Sequence, residues 1–126
     1  MGDTEREILE AAVGRTLPHL PEETVRDLAG VLDRLIGALR PERIYVFGSQ
    51  ARGQAMPDSD VDLLLVVPGS DLPAHQREQM AYHAAGRHSV PLDLMVLTHA
   101  EFERRRTVVS SLPATVVREG RMLYAA

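Results

Sequence analysis

The sequence predicts an α/β (α+β) protein in which helices cover a small mixed β-sheet. Short apolar runs bounded by glycine or proline are typical of buried strands, and they occur at residues 44–47, 60–67 and 90–97. The longer segments around them repeat apolar residues at helical spacing. Because strands and helices alternate without an internal repeat or a linker, we expect a single sheet.

Two helices are expected before the first strand. Thr4 and Glu7 have the spacing of a capping box, and the helix that they begin should end near Pro18. Pro21 resembles the start of a second helix, the clearest in the sequence, which Pro41 stops.

The later elements follow the same reasoning. Helical sequence resumes briefly at residues 49–53, and a further helix is expected at residues 74–87. Thr98 begins a second capping box, so a helix should follow the third strand directly. Gly120 should end the last helix, and residues 122–124 are a candidate terminal strand.

The length of 126 residues fits one domain that buries roughly two thirds of its unfolded surface. We expect that domain to span residues 1–126, with residues 1–20 as an N-terminal helical extension and residues 21–126 as the core. The apolar stripe of the first helix is expected to cover the protein's own core, and a partner-binding stripe is the alternative. This stripe consists of Leu9, Val13 and Leu17.

Composition excludes several classes of protein. A net charge of -4 argues against nucleic acid as the direct partner, because proteins that hold a nucleic-acid backbone usually carry a basic excess. Without cysteine there is neither a disulfide nor a thiolate metal site, so any metal needs oxygen or imidazole ligands. The longest purely apolar stretch, residues 63–67, is far shorter than the ~20 residues of a membrane span. We therefore expect a cytoplasmic protein that does not use the membrane.

Two aspartates at the start of the second strand are the first candidate site residues. Alternation along a strand directs Asp60 and Asp62 to one side and Val61 into the core. Two neighbouring carboxylates resist simultaneous ionisation unless a cation is bound. Oxygen ligands suit magnesium, which substrate phosphates complete, so a nucleotide triphosphate is expected here. Asp58 could join the pair, although its place after Pro57 favours a loop acid.

Gly48 and Ser49 form the second candidate element. They occupy a turn from strand to helix, where unpaired backbone amides favour phosphate. The surrounding residues match neither the P-loop nor the dinucleotide-binding glycine pattern, so the expected phosphate site is of another kind. Arg52 lies about one helical turn after Ser49 and either leans toward the triphosphate or pairs with a nearby acid.

Asp93 is a lone charge within the apolar third strand, which is unusual unless it faces a cation or a cleft. If the second and third strands are neighbours, Asp93 can lie beside Asp60 and Asp62. It then either completes a two-metal site or accepts the proton of an attacking hydroxyl. The combination predicts phosphoryl or nucleotidyl transfer.

Other polar residues give weaker signals. The arginine run at residues 104–106 is predicted to be a solvated helix face, with a contact patch for a partner or RNA as the alternative. Four histidines lack metal-ligand spacing and are interpreted as surface or packing residues. They are His75, His83, His88 and His99.

The spaced motif resembles the polymerase-beta-like nucleotidyltransferase superfamily. It comprises Gly48-Ser49, ten further residues, then Asp60-x-Asp62, with Asp93 in a later strand. The segments at residues 47–53 and 58–64 are similar to the minimal nucleotidyltransferases (MNT proteins), which are often encoded beside a HEPN partner. The resemblance runs from about Val25 to Tyr124. It implies the polymerase-beta-like nucleotidyltransferase fold for this chain.

The resemblance also implies roles for the site residues and two Mg²⁺ ions. Asp60, Asp62 and Asp93 would be the metal ligands and catalytic residues. Gly48 and Ser49 would contact the nucleotide, and Arg52 is a further candidate contact. All of these positions hold the residue types expected of an active enzyme.

By the same resemblance, the enzyme would move AMP from ATP to a hydroxyl. Because the chain has little room for an acceptor-binding domain, we expect another macromolecule as the acceptor. Some MNT proteins are antitoxins that adenylylate a tyrosine of the HEPN toxin, and this chain resembles them, so a homo- or hetero-oligomer is possible. The alternative is a non-catalytic antitoxin that neutralises a HEPN ribonuclease by covering it. A nucleic-acid-binding domain is disfavoured by the acidic charge and by having only two Phe and three Tyr.

Overall fold

The computed structural model describes residues 2–53 and 59–126. Helices and strands follow one another in the predicted order, including the terminal strand. The elements are α1 (Gly2–Thr16), α2 (Glu22–Leu39), β1 (Arg43–Phe47), α3 (Gly48–Ala51), β2 (Val61–Val67), α4 (Ala74–Ala85), β3 (Leu92–Thr98), α5 (His99–Arg105), α6 (Leu112–Glu119) and β4 (Arg121–Ala125).

The four strands form one mixed sheet in the order β3-β2-β1-β4. β1 pairs antiparallel with both β2 and β4, whereas β2 and β3 run parallel and are connected through α4. The expectation of a small mixed sheet covered by helices is therefore confirmed. Because β2 and β3 run in the same direction, their first residues lie at the same edge of the sheet.

The core has one layer on each face of the sheet. Alternate residues of β1 and β2, such as Ile44 and Leu63, pack with α1, α2 and α4 on one face. On the opposite face, Tyr45 stacks on Phe102 of α5, with ring centroids 5.6 Å apart. After Asp62, β2 is buried on both faces, which explains why residues 63–67 form an unbroken apolar run.

The stripe on α1 belongs to the core, as predicted. Leu9 is 6% exposed, and Val13 and Leu17 are fully buried in the larger cluster. The partner-binding alternative for this stripe is wrong, because these side chains already pack inside the protein. The division into an extension and a core stays a prediction.

Several predicted element ends need correction. Thr4 does not begin the first helix, because α1 already includes Gly2. The helix over residues 74–87 ends at Ala85, where Gly86 adopts a φ of 68°. The third strand begins at Leu92, two residues later than expected. No helix in the described part of the chain has the length and apolar character that a membrane crossing needs.

The second capping box is present and is linked to α4. The Thr98 side chain accepts a hydrogen bond from the backbone N–H of Glu101, whose carboxylate accepts one from the Thr98 N–H. Arg77, a buried residue of α4, donates to both oxygens of Glu101 at 2.7 and 3.1 Å. These bonds from Arg77, together with those from Thr98, lower the pKa of Glu101 to about 2. One carboxylate therefore both caps α5 and fixes α4 against it.

Candidate active site

The candidate site lies at the sheet edge where β1 ends and where β2 and β3 begin. Phe47, the last residue of β1, is opposite Asp62 of β2. Asp62 is in turn opposite Asp93 of β3, so the second and third strands are neighbours as the sequence argument required. Gly48 directly follows Phe47. The fold thus places Gly48, Asp62 and Asp93 side by side.

Gly48 has a backbone conformation and an environment that disfavour any larger residue. Its φ is 71°, in the left-handed region that L-residues avoid. A Cβ atom at this position would overlap the Asp62 carboxylate, whose Cγ would be 3.2 Å away. The backbone at the start of α3 therefore lies directly against the acidic group, and Ser49 follows with a partly exposed side chain.

The carboxylate of Asp62 is the electrostatic centre of this edge. Partial burial raises its pKa, and the nearby charges of Asp93 and Asp60 raise it further. A side-chain hydrogen bond between Asp62 and Asp93 acts in the same direction, while the positive charge of Arg52 opposes it. The ionised form of Asp62 is therefore disfavoured by its burial and by the neighbouring negative charges.

Asp60 lies one residue before β2 and is exposed. Val61 between the two acids is fully buried, as alternation along the strand predicted. Asp58, the third acid of this segment, lies outside the described residues.

The carboxylates at this edge of the sheet are candidate magnesium ligands. Among residues 2–53 and 59–126, no three carboxylate or imidazole side chains converge closely enough to enclose a metal ion. Magnesium does not require such a cage, because one or two carboxylates with substrate phosphates and waters can hold it. The paired acids Asp62 and Asp93, with Asp60 close by, fit that kind of site, and a divalent cation would relieve their repulsion.

Arg52 has contacts that bear on both of its predicted alternatives. Its guanidinium lies 3.9 Å from a carboxylate oxygen of Glu119, so it pairs with a nearby acid. It is also close enough to Asp62 to lower the pKa of that group. The Arg52 side chain is exposed, and its contact with a triphosphate stays a prediction.

Sequence reasoning missed a buried polar residue next to the site. Gln50, directly after Gly48-Ser49, is only 4% exposed. Its side-chain oxygen accepts a hydrogen bond from His19 at 2.7 Å, and its nitrogen donates to the Ser59 carbonyl at 3.2 Å. Gln50 thereby holds the backbone next to Asp60. The position of Gln50 directly after Gly48 and Ser49 was the sequence signal that could have identified it.

Tyr82 of α4 was also missed. Its hydroxyl accepts a hydrogen bond from the backbone N–H of Leu94 at 2.9 Å and donates to Asp93 Oδ1 at 3.4 Å. No local pattern marks this residue, because the contact depends on how α4 packs against β3.

The remaining histidines and the arginine run agree with their interpretations from the sequence. The histidines are exposed or partly exposed, in agreement with the sequence interpretation: His88 bonds the Val90 carbonyl, and His99 bonds Glu42. Residues 104–106 are exposed on or just after α5, as predicted for a solvated helix face.

Comparison with known proteins identifies the family. The nucleotidyltransferase domain family matches residues 25–115. A protein of Methanocaldococcus jannaschii named "Putative protein adenylyltransferase" is 32% identical over 76 residues, which is 60% of this chain and 69% of the relative.

Solved structures show the same fold. A crystal structure titled as a "putative nucleotidyltransferase" from Sulfolobus solfataricus superposes with a TM-score of 0.58 and 21% identity, covering 94% of this chain and 87% of the other. A toxin–antitoxin structure with AMP-PNP gives 0.53 and 23%, covering 76% and 72%. A mutant of the toxin–antitoxin MntA–HpeT gives 0.52 and 23%, covering 75% and 71%. The family match, the relative and the shared fold together place this chain in the nucleotidyltransferase domain family, as a nucleotidyltransferase.

Proposed function

We propose that this enzyme is a Mg²⁺-dependent protein adenylyltransferase. It moves AMP from ATP to the hydroxyl of a tyrosine in a partner protein. We further propose that the partner is a HEPN toxin and that this chain is its antitoxin. The observation that carries the catalytic part is the row of Gly48, Asp62 and Asp93 at one edge of the sheet.

Each residue of this row has a defined task in the proposal. The backbone at Gly48, where no side chain intervenes, lets the triphosphate approach the acids, and the Ser49 hydroxyl donates to a phosphate oxygen. Asp60, Asp62 and Asp93 would hold two Mg²⁺ ions. When bound, these ions would neutralise the triphosphate and make its α-phosphorus more electrophilic.

The transfer itself is a single displacement. The acceptor oxygen forms a bond to the α-phosphorus while the bond from that phosphorus to the leaving pyrophosphate breaks. Asp93, at the outer strand of the row, accepts the proton of the attacking hydroxyl. The Arg52 guanidinium would contact the charged triphosphate, and its lowering effect on the pKa of Asp62 supports this role.

Two comparisons support the choice of acceptor and partner. The M. jannaschii relative is named as a protein adenylyltransferase, which favours a protein acceptor. Two structures with the same fold are toxin–antitoxin assemblies, one of them with an ATP analogue. The HEPN identity of the toxin rests on the MNT resemblance of residues 47–53 and 58–64.

The test is transfer of label from α-labelled ATP to the purified candidate toxin in the presence of Mg²⁺. Wild type is compared with Asp60→Asn/Asp62→Asn, which keeps side-chain size but removes two negative charges. Asp71→Asn, in the exposed loop before α4, is the matched control for loss of a carboxylate. We expect label on the toxin with wild type and the control and none with the double variant.

The alternative function gives a different result. A non-catalytic antitoxin would neutralise the toxin without moving label, and the double variant would neutralise it equally well. Equal labelling by wild type and the double variant would instead show that these aspartates are not the catalytic groups.

A further inference from the structure

Tyr82 places a hydroxyl of the protein itself at the candidate site. Tyr82 is 44% exposed, and its hydroxyl oxygen lies 3.4 Å from Asp93 Oδ1. The second hydrogen bond, accepted from the Leu94 N–H at 2.9 Å, fixes the phenol on β3. β3 is an edge strand of the sheet, so the backbone N–H of Leu94 is available to a side chain from α4.

The order of groups across the sheet edge suits transfer to this hydroxyl. Gly48 lies against Asp62, Asp62 is paired with Asp93, and Asp93 contacts Tyr82. Gly48 and Ser49, which are proposed to bind the phosphates, are thus at one end of the row. The phenolic hydroxyl of Tyr82 is at the other end, with the acids between them. An acceptor hydroxyl needs that placement, within reach of a base and across from the phosphate.

The other two tyrosines do not have this placement. Tyr45 is 8% exposed, and its oxygen accepts a hydrogen bond from Arg43. Tyr124 is in β4, at the opposite end of the sheet from β3. Tyr82 is therefore the tyrosine that contacts a candidate catalytic acid.

We propose that the enzyme adenylylates its own Tyr82, with a nucleoside triphosphate as the co-substrate. This inference rests on the proposed nucleotidyl transfer and adds a modification site to it. The Tyr82 oxygen forms a bond to the α-phosphorus, the bond to pyrophosphate breaks, and the phenolic proton passes to Asp93. The product is a tyrosyl AMP phosphodiester beside Asp93, where it hinders the approach of any other acceptor.

The modified residue can be located without ambiguity. Trypsin cleaves after Arg77 and Arg87, and the resulting peptide of residues 78–87 contains Tyr82 as its only hydroxyl-bearing residue. The purified chain is incubated with ATP and Mg²⁺ without any partner, and the peptide is analysed by mass spectrometry. We expect one adenylyl group on Tyr82, stable to acid, whereas an adduct on His83 would be acid-labile. Tyr82→Phe must abolish the modification and Tyr124→Phe must preserve it.

The geometry also requires modification within one chain. Wild type is mixed with an Asp60→Asn/Asp62→Asn chain that carries a longer tag, so that the two are separated by size. Tyr82 of the wild type should be labelled, at a fractional rate independent of protein concentration, and Tyr82 of the variant should not. Labelling of the variant chain would contradict the proposal, because it would show transfer between molecules.

A binding experiment gives a readout that does not depend on turnover. A triphosphate analogue with a non-cleavable link between its α- and β-phosphates, bound with Mg²⁺, should slow acetylation of Tyr82 by N-acetylimidazole and leave Tyr124 unaffected. Binding of the analogue without protection of Tyr82 would overturn the inference.

Failure of this inference is distinguishable from failure of the proposed function. Label on the candidate toxin with an unmodified 78–87 peptide would reject Tyr82 as an acceptor and leave the nucleotidyl transfer intact. Absence of label on both proteins, with no binding of the analogue, would reject both proposals.

Discussion

Replacing Glu101 with glutamine should lower the stability of the protein at neutral pH and make that stability less dependent on pH in the acid range. The pKa of Glu101 is lowered from 4.5 to about 2, chiefly by the hydrogen bonds from Arg77. A carboxylate whose native pKa is depressed stabilises the fold above its unfolded pKa and loses that contribution as the pH falls toward the native value. Stability should therefore fall between pH 4.5 and about 2.

The size of the effect follows from linkage. At neutral pH the depressed pKa corresponds to at most about 3.5 kcal/mol, since one pKa unit is about 1.4 kcal/mol. At about pH 3 the unfolded group is mostly protonated, and the contribution has dropped to about 1.4 kcal/mol. These are upper values because 28% of the Glu101 side chain is exposed to water, which screens its charge.

The assay is urea unfolding of wild type and Glu101→Gln at several pH values. The variant also leaves buried Arg77 without its charged partner, which lowers stability at every pH. The diagnostic quantity is therefore the change in the difference between the two proteins, which should shrink by up to about 2 kcal/mol from neutral pH to about pH 3. Glu5→Gln on α1, an exposed carboxylate, is the control for loss of one charge. A difference that stays constant with pH would refute the assignment of a depressed pKa to Glu101.

Three further predictions concern the candidate site. Gly48→Ala and Gly53→Ala each place a side chain at a positive φ and should each lower the free energy of unfolding by about 1 kcal/mol. Only Gly48→Ala should also weaken Mg²⁺–ATP binding in calorimetry, because its Cβ displaces the Asp62 carboxylate. A Cβ at Gly53 has no described atom within 4 Å, so Gly53→Ala is the control. Equal binding by the two variants would contradict this prediction. Asp62→Asn should raise the thermal unfolding temperature at neutral pH without metal, because burial and like charges raise the pKa of this acid and its ionised form opposes folding; Mg²⁺ with ATP should then stabilise wild type more than the variant. Gln50→Ala should cost about 1–2 kcal/mol in urea unfolding and weaken nucleotide binding, since the Ser59 carbonyl loses its buried donor; unchanged stability would show that this bond contributes nothing.

Local sequence patterns predicted the elements because those patterns act over a few residues. The apolar run of β2 predicted a strand, and the spacing of Thr98 and Glu101 predicted the start of α5, since the cap is made within one turn. Thr4 failed as a helix start although it has the same spacing with Glu7. A capping box is only a preference, and α1 extends past it to Gly2 while its apolar stripe packs in the core.

The candidate acids were found for a similar reason. Asp62 is the second residue of β2 and Asp60 comes just before the strand, and alternation along an extended backbone predicts that two such side chains point to the same side. The position of Asp93 was conditional on strand order, which short-range periodicity does not encode. Their metal-binding and catalytic roles stay predictions until the labelling experiment is done.

The sequence by itself determined the order of helices and strands and the identity of the candidate residues, because each depends on local geometry or on side-chain chemistry. Only the tertiary structure decided which groups meet. The parallel pairing of β2 with β3 brings Asp93 to Asp62, and the packing of α4 on β3 brings Tyr82 to Asp93. Burial of Gln50 and Arg77 likewise results from helix packing. These contacts join residues distant in sequence, and the burial of apolar surface on both faces of the sheet selects them.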